Sequence, residues 1–108
     1  MRIYSLTDKD DFRQLFRSGQ RLGSGFFRLI TRKNSIGHSR FAFITPSSLD
    51  KRSTVRNRLR RRAREWIRKN AVLDKPSDVA VTFKKESLAA TKNQFYEELA
   101  KIFSRPSR

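Results

Sequence analysis

The sequence predicts an α+β fold in which three helices pack on a small, mostly antiparallel sheet of four strands. Along the chain, segments with apolar residues at helical spacing alternate with segments at strand spacing, in the order helix, strands, helix, strand, helix. Sequential strands joined by a crossover helix favour an α+β sandwich, with the helices packed on the sheet. Because 108 residues can bury one modest core, we expect a single domain over residues 1–108.

The first helix has clear start and stop signals. Thr7 is a suitable N-cap with Asp10 three residues later, and Gly19 ends the helix. Phe12 and Phe16 lie one turn apart on its apolar face. We interpret the acidic first turn as stabilising the helix start and not as a metal site, since cation ligands usually converge from several elements.

The strands are predicted from alternating and branched residues. Segments 25–32 and 40–45 are predicted to form two strands, and Leu22 indicates a short strand before them. Residues 33–39 between them are rich in turn formers, which predicts an antiparallel hairpin with a longer loop. His38 lies in that loop, where we expect a solvated side chain without a special role.

A strongly basic helix follows Pro46. Its apolar stripe is Val55, Leu59, Ala63, Trp66 and Ile67, and its opposite side carries Asn57, Arg61, Arg64 and Arg68. Residues 78–83 then form a compact buried strand. The last helix begins at Thr91, with Gln94 three residues later as a capping box.

The charge predicts a polyanionic partner. The chain has 26 basic and 10 acidic residues, a net charge of +16, and residues 51–69 hold ten basic residues against Glu65 alone.

No stretch approaches the roughly 18 apolar residues of a membrane span, and no secretory signal is present, so we expect a cytoplasmic protein. Without cysteine and with one histidine, the chain offers no thiolate or histidine metal site.

The basic helix has the chemistry of an RNA-docking surface. Residues three and four apart lie about 5–6 Å from each other, so Arg61, Arg64 and Arg68 form an arginine ridge. A guanidinium group can take two phosphate oxygens and can stack on bases. Asn57 adds uncharged donors and an acceptor. The uncompensated charges repel one another, and an anionic partner would relieve that repulsion.

Two segments resemble the bacterial ribonuclease P protein subunit. They are Arg56-Asn57-Arg58-Leu59-Arg60-Arg61-Arg62-Ala63-Arg64-Glu65, which is similar to that family's arginine-rich signature, and Asp11-Phe12-Arg13-Gln14-Leu15-Phe16-Arg17-Ser18-Gly19, which is similar to its first helix. The resemblance implies a protein that binds the catalytic RNA of ribonuclease P and assists removal of the 5′ leader from precursor tRNA. The RNA would perform the chemistry, with magnesium required by the RNA–protein holoenzyme. It also implies a fold like the second domain of ribosomal protein S5, with a left-handed crossover around the basic helix.

The resemblance also implies site residues. The predicted RNA-binding residues are Arg56, Asn57, Arg58, Arg60, Arg61, Arg64 and, by charge alone, Arg68; the predicted leader cleft between sheet and first helix is lined by Phe12, Phe16, Arg13 and Arg28. No catalytic residue, no cofactor bound by the protein alone and no obligate protein partner are predicted. For Phe12 and Phe16, a core role remains equally open, because their spacing also suits a buried face.

Several positions depart from the family's pattern. Ser48 and Leu49 stand where a lysine pair is usual, Ile30 replaces an aromatic residue and Gly25 an arginine. The main alternative is a ribosomal or other structural RNA-binding protein, followed by a DNA-binding module, although no heptads suggest a dimer for paired half-sites. A protein-only nuclease would need converging carboxylates or a histidine beside a nucleophile, which this sequence does not assemble.

Overall fold

The computed structural model describes residues 3–70 and 75–104. It contains the three predicted α-helices, so the α+β class is confirmed. The elements are β1 (Tyr4–Ser5), α1 (Lys9–Ser18), β2 (Gln20–Gly23), β3 (Phe27–Lys33), β4 (Arg40–Ile44), α2 (Ser53–Asn70), β5 (Ser77–Phe83), a 3-10 helix (Lys85–Ala89) and α3 (Lys92–Phe103).

The described strands form one mixed sheet of five strands in the order β1-β4-β5-β3-β2. Strand β3 pairs antiparallel with β2 and β5, whereas β4 pairs parallel with β1 and β5. The predictions of four strands, of a mostly antiparallel sheet and of a hairpin between β3 and β4 were therefore wrong. Strand β5 lies between β3 and β4 because it is buried on both faces, which suits a central strand.

The loop before β4 turns without forming the predicted hairpin. Gly37 adopts φ +90°, a left-handed conformation that favours glycine. His38 is half-buried, and its ring stacks on Tyr4 with 3.8 Å between ring centroids. The expectation of a simply solvated histidine was wrong, since this side chain covers the edge strand β1.

Helix α2 connects two parallel neighbours, β4 and β5. A parallel pair needs such a crossover, and this one lays the basic helix across one face of the sheet. The left-handed sense of the crossover and the likeness to ribosomal protein S5 stay predictions of the resemblance.

The alternation of side chains along the strands separates two apolar clusters. On one face, α1 packs through Leu15 and Phe12 on Ile30, Ala80 and Ala42. The other face carries α2 and α3 over the larger core. That core comprises Phe27, Leu29, Phe41, Leu49, Leu59, Ala63, Ile67, Val79, Val81, Phe83, Phe95, Leu99 and Ile102.

The helix ends follow local hydrogen-bonding chemistry. The N-cap of α1 is Asp8, not Thr7 as predicted: its carboxylate accepts from the backbone N–H groups of Asp10 and Asp11 at 2.9 and 3.0 Å. Aspartate caps as well as threonine does and adds a negative charge at the positive helix start. The capping box of α3, formed by Thr91 and Gln94, is confirmed.

Gly19 ends α1 as predicted, and the reason is steric. Its N–H donates to the Leu15 carbonyl at 2.8 Å. A Cβ at this position would lie 2.5 Å from that carbonyl oxygen and 2.6 Å from the Cγ2 of Ile30. Only glycine allows α1 to approach β3 this closely.

Arg40 joins three elements through a network that the sequence did not predict. Its guanidinium donates to both carboxylate oxygens of Asp78 at 2.8 and 2.7 Å, and to Asp11 of α1 at 3.0 Å. Asn34 also donates to Asp78, at 2.9 Å. The hydrogen bonds to Asp78, followed by its charge, raise the pKa of Arg40 above its usual value. The paired side chains are 18% and 9% exposed, so this ion pair is largely shielded from water.

Candidate nucleic-acid interface

Helix α2 presents its cations to solvent because its apolar stripe is held in the core. Val55, Leu59, Ala63 and Ile67 are buried, as predicted. Trp66 is half-buried and packs against Phe103 with ring centroids 6.0 Å apart. The opposite side of the helix is exposed, as predicted, and carries Asn57, Arg61, Arg64 and Arg68.

Asp50 anchors the start of α2. Arg52 forms an ion pair with its carboxylate at 2.9 Å, and Arg56 donates to its backbone carbonyl at 2.6 Å. The hydrogen bonds from Arg52 lower the pKa of Asp50 to about 2. Arg56 is therefore half-buried against the turn that it holds in place.

Arg60 links α2 to the end of β4. Its guanidinium donates to the hydroxyl of Thr45, directly after β4, and to the side-chain oxygen of Asn57. These contacts fix Asn57 and Arg60 as one polar unit at the rim of the sheet. Asn57 is an exposed residue, and its side-chain amide also carries N–H donors that can reach a partner.

The central cations of α2 lack carboxylate partners. Within residues 3–70 and 75–104, none of Arg58, Arg61 and Arg64 forms a salt bridge, although the Cζ of Arg64 lies 5.5 Å from the ring centroid of Phe43. Arg68, the last member of the arginine ridge, binds Glu65 at 2.5 Å. That hydrogen bond lowers the pKa of Glu65 and raises the pKa of Arg68. The unpaired positive charge is thus concentrated in the middle of the helix.

The α1 residues predicted to bind the leader lie on the face of the sheet opposite α2. The rings of Phe12 and Phe16 stack with centroids 6.2 Å apart and an interplanar angle of 15°. Phe12 is half-buried in the small apolar cluster, whereas Phe16 is 38% exposed. Arg13 is exposed and bound to Asp10 at 3.2 Å, and Arg28 is exposed on β3.

A row of paired residues connects the two predicted sites. Arg28 pairs with Thr82, which in turn pairs with Ile44 of β4. Ile44 packs with the α1 cluster, so this row lies on the face of the sheet that α1 covers. Thr45 follows it and holds Arg60 of α2. The sequence did not indicate Thr82, Ile44 or Thr45, because the row exists only with β5 between β3 and β4.

Two departures from the family's pattern have structural roles in this chain. Leu49, at a position where a lysine is usual, is 5% exposed and belongs to the larger core. Ile30, at the position of an aromatic residue, packs beneath α1 beside Gly19. Both positions use apolar contacts to fix the helices that carry the candidate site.

The described residues contain no group of three His, Asp or Glu side chains placed to hold a metal ion. In the same part of the chain, no helix is long and apolar enough to cross a bilayer.

The family model described as Ribonuclease P matches residues 1–107. The chain belongs to the ribonuclease P protein family. The ribonuclease P protein component of Aliivibrio salmonicida is 30% identical over 106 residues, which cover 95% of this chain and 91% of that protein. The structure of the Thermotoga maritima ribonuclease P protein superposes with a TM-score of 0.84 at 27% identity, covering 96% of this chain and 98% of that one.

A Staphylococcus aureus ribonuclease P protein has the same fold, with a TM-score of 0.81 at 23% identity over 95% of this chain and all of that one. As a member of the ribonuclease P protein family, the chain is the protein subunit of an endoribonuclease holoenzyme and works with the ribonuclease P RNA in tRNA processing. The prediction made from residues 11–19 and 56–65 is confirmed at this level, ahead of the ribosomal and DNA-binding alternatives.

Proposed function

We propose that the exposed side of α2 binds the ribonuclease P RNA while the face of the sheet beside α1 holds the 5′ leader of precursor tRNA. The single observation that carries this proposal is the row from Arg28 through Thr82 and Ile44, which ends where Arg60 is bound to Thr45. The row therefore runs along the α1 face of the sheet to its rim at Thr45, where the guanidinium of Arg60 joins the end of β4 to α2.

The α2 side has the charge that an RNA backbone requires. Arg58, Arg61 and Arg64 project from successive turns without a carboxylate partner in the described part of the chain. Each guanidinium group can donate two parallel hydrogen bonds to a phosphate. Asn57, whose side-chain oxygen accepts a hydrogen bond from Arg60, adds a neutral donor beside these arginines. The predicted RNA-binding set thus divides into contact residues and residues that fix the helix, such as Arg56.

The α1 side suits a single strand of variable sequence. Phe16 exposes a ring supported from behind by the stacked ring of Phe12. A base can stack on such a ring whatever its identity, since every base has a π-face. Arg28 lies across the same face and can meet a leader phosphate. Phe12 then acts mainly as support and Phe16 as the contact.

In this proposal the RNA holds the magnesium ions and performs the hydrolysis in the cytoplasm. Five acidic side chains in the described part of the chain already have structural roles. Asp8 caps α1, Asp78 and Asp11 bind Arg40, and Asp50 and Glu65 bind Arg52 and Arg68. Removing any of them from these roles to ligate a cation would leave an arginine or a helix end without its partner.

Replacing Phe16 with leucine tests the leader contact. Leucine keeps an apolar cover over Phe12 but removes the aromatic platform. We expect the reconstituted RNA–protein complex to bind precursor tRNA about tenfold more weakly, because stacking on one ring is worth about 1–3 kcal/mol. Its affinity for mature tRNA should stay within about twofold. Both dissociation constants are measured under non-cleaving conditions.

Two matched variants serve as controls for Phe16→Leu. Phe16→Tyr keeps the ring and should bind precursor like the unmodified protein. Ile36→Ala removes an exposed apolar side chain outside the cleft, 46% exposed, and should change neither affinity. An equal loss for precursor and mature tRNA, or no loss, would exclude Phe16 as the leader platform.

A further inference from the structure

A groove separates α2 from α3 on the face of the sheet opposite α1. It consists of two adjoining cavities of about 240 and 210 Å³. Glu65 and Tyr96 line both of them, so the two cavities form one continuous depression. The remaining lining residues are Arg58, Arg61, Arg62 and Lys92 in the first cavity and Trp66, Lys69 and Asn70 in the second. We call this feature the α2–α3 groove.

The charge of the α2–α3 groove favours an anion. Five cationic side chains line it, and its one carboxylate, Glu65, is neutralised by Arg68 at 2.5 Å and Lys69 at 3.4 Å. Arg62 is directed into the groove and away from the arginine ridge. Its Cζ lies 5.4 Å from the ring centroid of the fully buried Phe95, which fixes the guanidinium between the helices.

An aromatic wall lies among these cations. Tyr96 is half-buried, one turn after Lys92, whose Nζ lies 5.8 Å from the ring centroid. The exposed side chain of Lys92 therefore covers one face of the ring, and this face lies toward solvent. The combination of a π-face with clustered cations is the device by which proteins hold unpaired nucleotides. An acidic peptide would use the cations but leave the ring without a matching partner.

We propose that the α2–α3 groove binds one unpaired nucleotide of the ribonuclease P RNA, with its base on Tyr96 and its phosphate on Arg58, Arg61 and Arg62. This inference rests on the proposed function of α2. The leader is not the occupant, because in the proposed function it lies on the α1 face, whereas the groove lies between α2 and α3 on the opposite face of the sheet. Lys92 moves from the ring to the phosphate when the base enters.

Tyr96→Leu and Tyr96→Phe form the matched pair of variants that tests the groove. We expect the leucine variant to bind ribonuclease P RNA about tenfold more weakly at every salt concentration, with an unchanged salt slope, since stacking releases no counterion. The phenylalanine variant keeps the ring and should bind within about twofold of the unmodified protein. Arg62→Ala, in contrast, should reduce the slope by about one unit.

The outcomes separate this inference from the proposed function. If Tyr96→Leu binds RNA normally while loss of Arg61 and Arg64 weakens binding, the groove proposal is wrong and the proposed function stands. If neither change weakens binding, the proposed function is wrong as well. If Tyr96→Leu reduces the preference for precursor over mature tRNA, the leader occupies the groove and the proposal is overturned.

A second measurement does not depend on the stability of the leucine variant. The chain has no cysteine, so Asn93→Cys, on α3 beside the groove, gives a unique attachment point for an iron chelate that generates hydroxyl radicals. In the complex with the catalytic RNA we expect scission centred on one unpaired segment. Scission confined to the leader of a bound precursor, or none in the catalytic RNA, would contradict the proposal.

Discussion

Replacing Arg61 and Arg64 together with alanine is expected to weaken binding of the ribonuclease P RNA by about a hundredfold near physiological salt. Hydrogen bonds to charged groups contribute about 1.5–3 kcal/mol each, and each tenfold in affinity is about 1.4 kcal/mol. The slope of log affinity against log salt should also fall by up to about two units, because two phosphates lose their cations. Both side chains are exposed, so the fold should persist. Affinity is measured at several salt concentrations.

The matched control for this double change is Lys33→Ala with Lys85→Ala. It removes the same charge from exposed positions outside α2. We expect the control to leave the salt slope within about half a unit of the original, since a general field contributes less than direct phosphate contacts. Equal slopes for the two double variants would show that total charge, and not the side of α2, determines binding.

Replacing Arg40 with methionine is expected to lower the free energy of unfolding by about 3–5 kcal/mol, since breaking a buried ion pair leaves an uncompensated charge. Asp78 would retain Asn34 as a donor but lose both guanidinium hydrogen bonds, and Asp11 on α1 would lose its tie to β4. The expected loss is large although the change relieves part of the net positive charge. Urea unfolding at fixed ionic strength measures it.

Arg32→Met is the control for Arg40→Met. Arg32 pairs with Asp78 in strand register but is exposed and donates to Gln14 at 2.7 Å. We expect Arg32→Met to change stability by no more than about 0.5 kcal/mol, as is usual for exposed positions. A similar loss in both variants would mean that the burial of Arg40 adds nothing to the strength of its ion pair.

The basic helix was the part of the fold most readable from the sequence. The spacing of its apolar residues predicted both the buried residues from Val55 to Ile67 and the exposed side with Arg61 and Arg64. Both sides of a helix follow from this local spacing. The start of α3 at Thr91 was equally local. Such features depend on residues within one or two turns, which the sequence displays directly.

The sheet was less readable because its order depends on distant pairing. The turn formers in residues 33–39 favoured a hairpin, but β5 takes the place between β3 and β4 because it is buried on both faces. The strand order therefore depends on burial across the whole sheet and not on the residues of the loop. The ion pair of Arg40 with Asp78 follows from this strand order, so no local pattern announced it.

For the candidate site, the sequence predicted a set of residues but not how the structure divides their contacts. Phe12 and Phe16 have the same spacing signal, yet only Phe16 exposes its ring, since Phe12 is covered by the small cluster. Arg56 and Arg60 carry the same charge as Arg61 but bind the protein's own oxygens. Lys92 and Tyr96 lie one turn apart on α3, outside its core face. Their spacing alone did not predict the α2–α3 groove, because the groove also requires α2.

Leader removal in a reconstituted system shows whether this protein acts as a ribonuclease P subunit. The purified protein is mixed with its cognate ribonuclease P RNA and a precursor tRNA at low magnesium and moderate salt, and the released leader is quantified against RNA alone. We expect the protein to restore cleavage at the mature 5′ end, and the Arg61 and Arg64 double variant to do so only at much higher protein concentration. Cleavage that stays at the level of RNA alone when the intact, folded protein is present would contradict it.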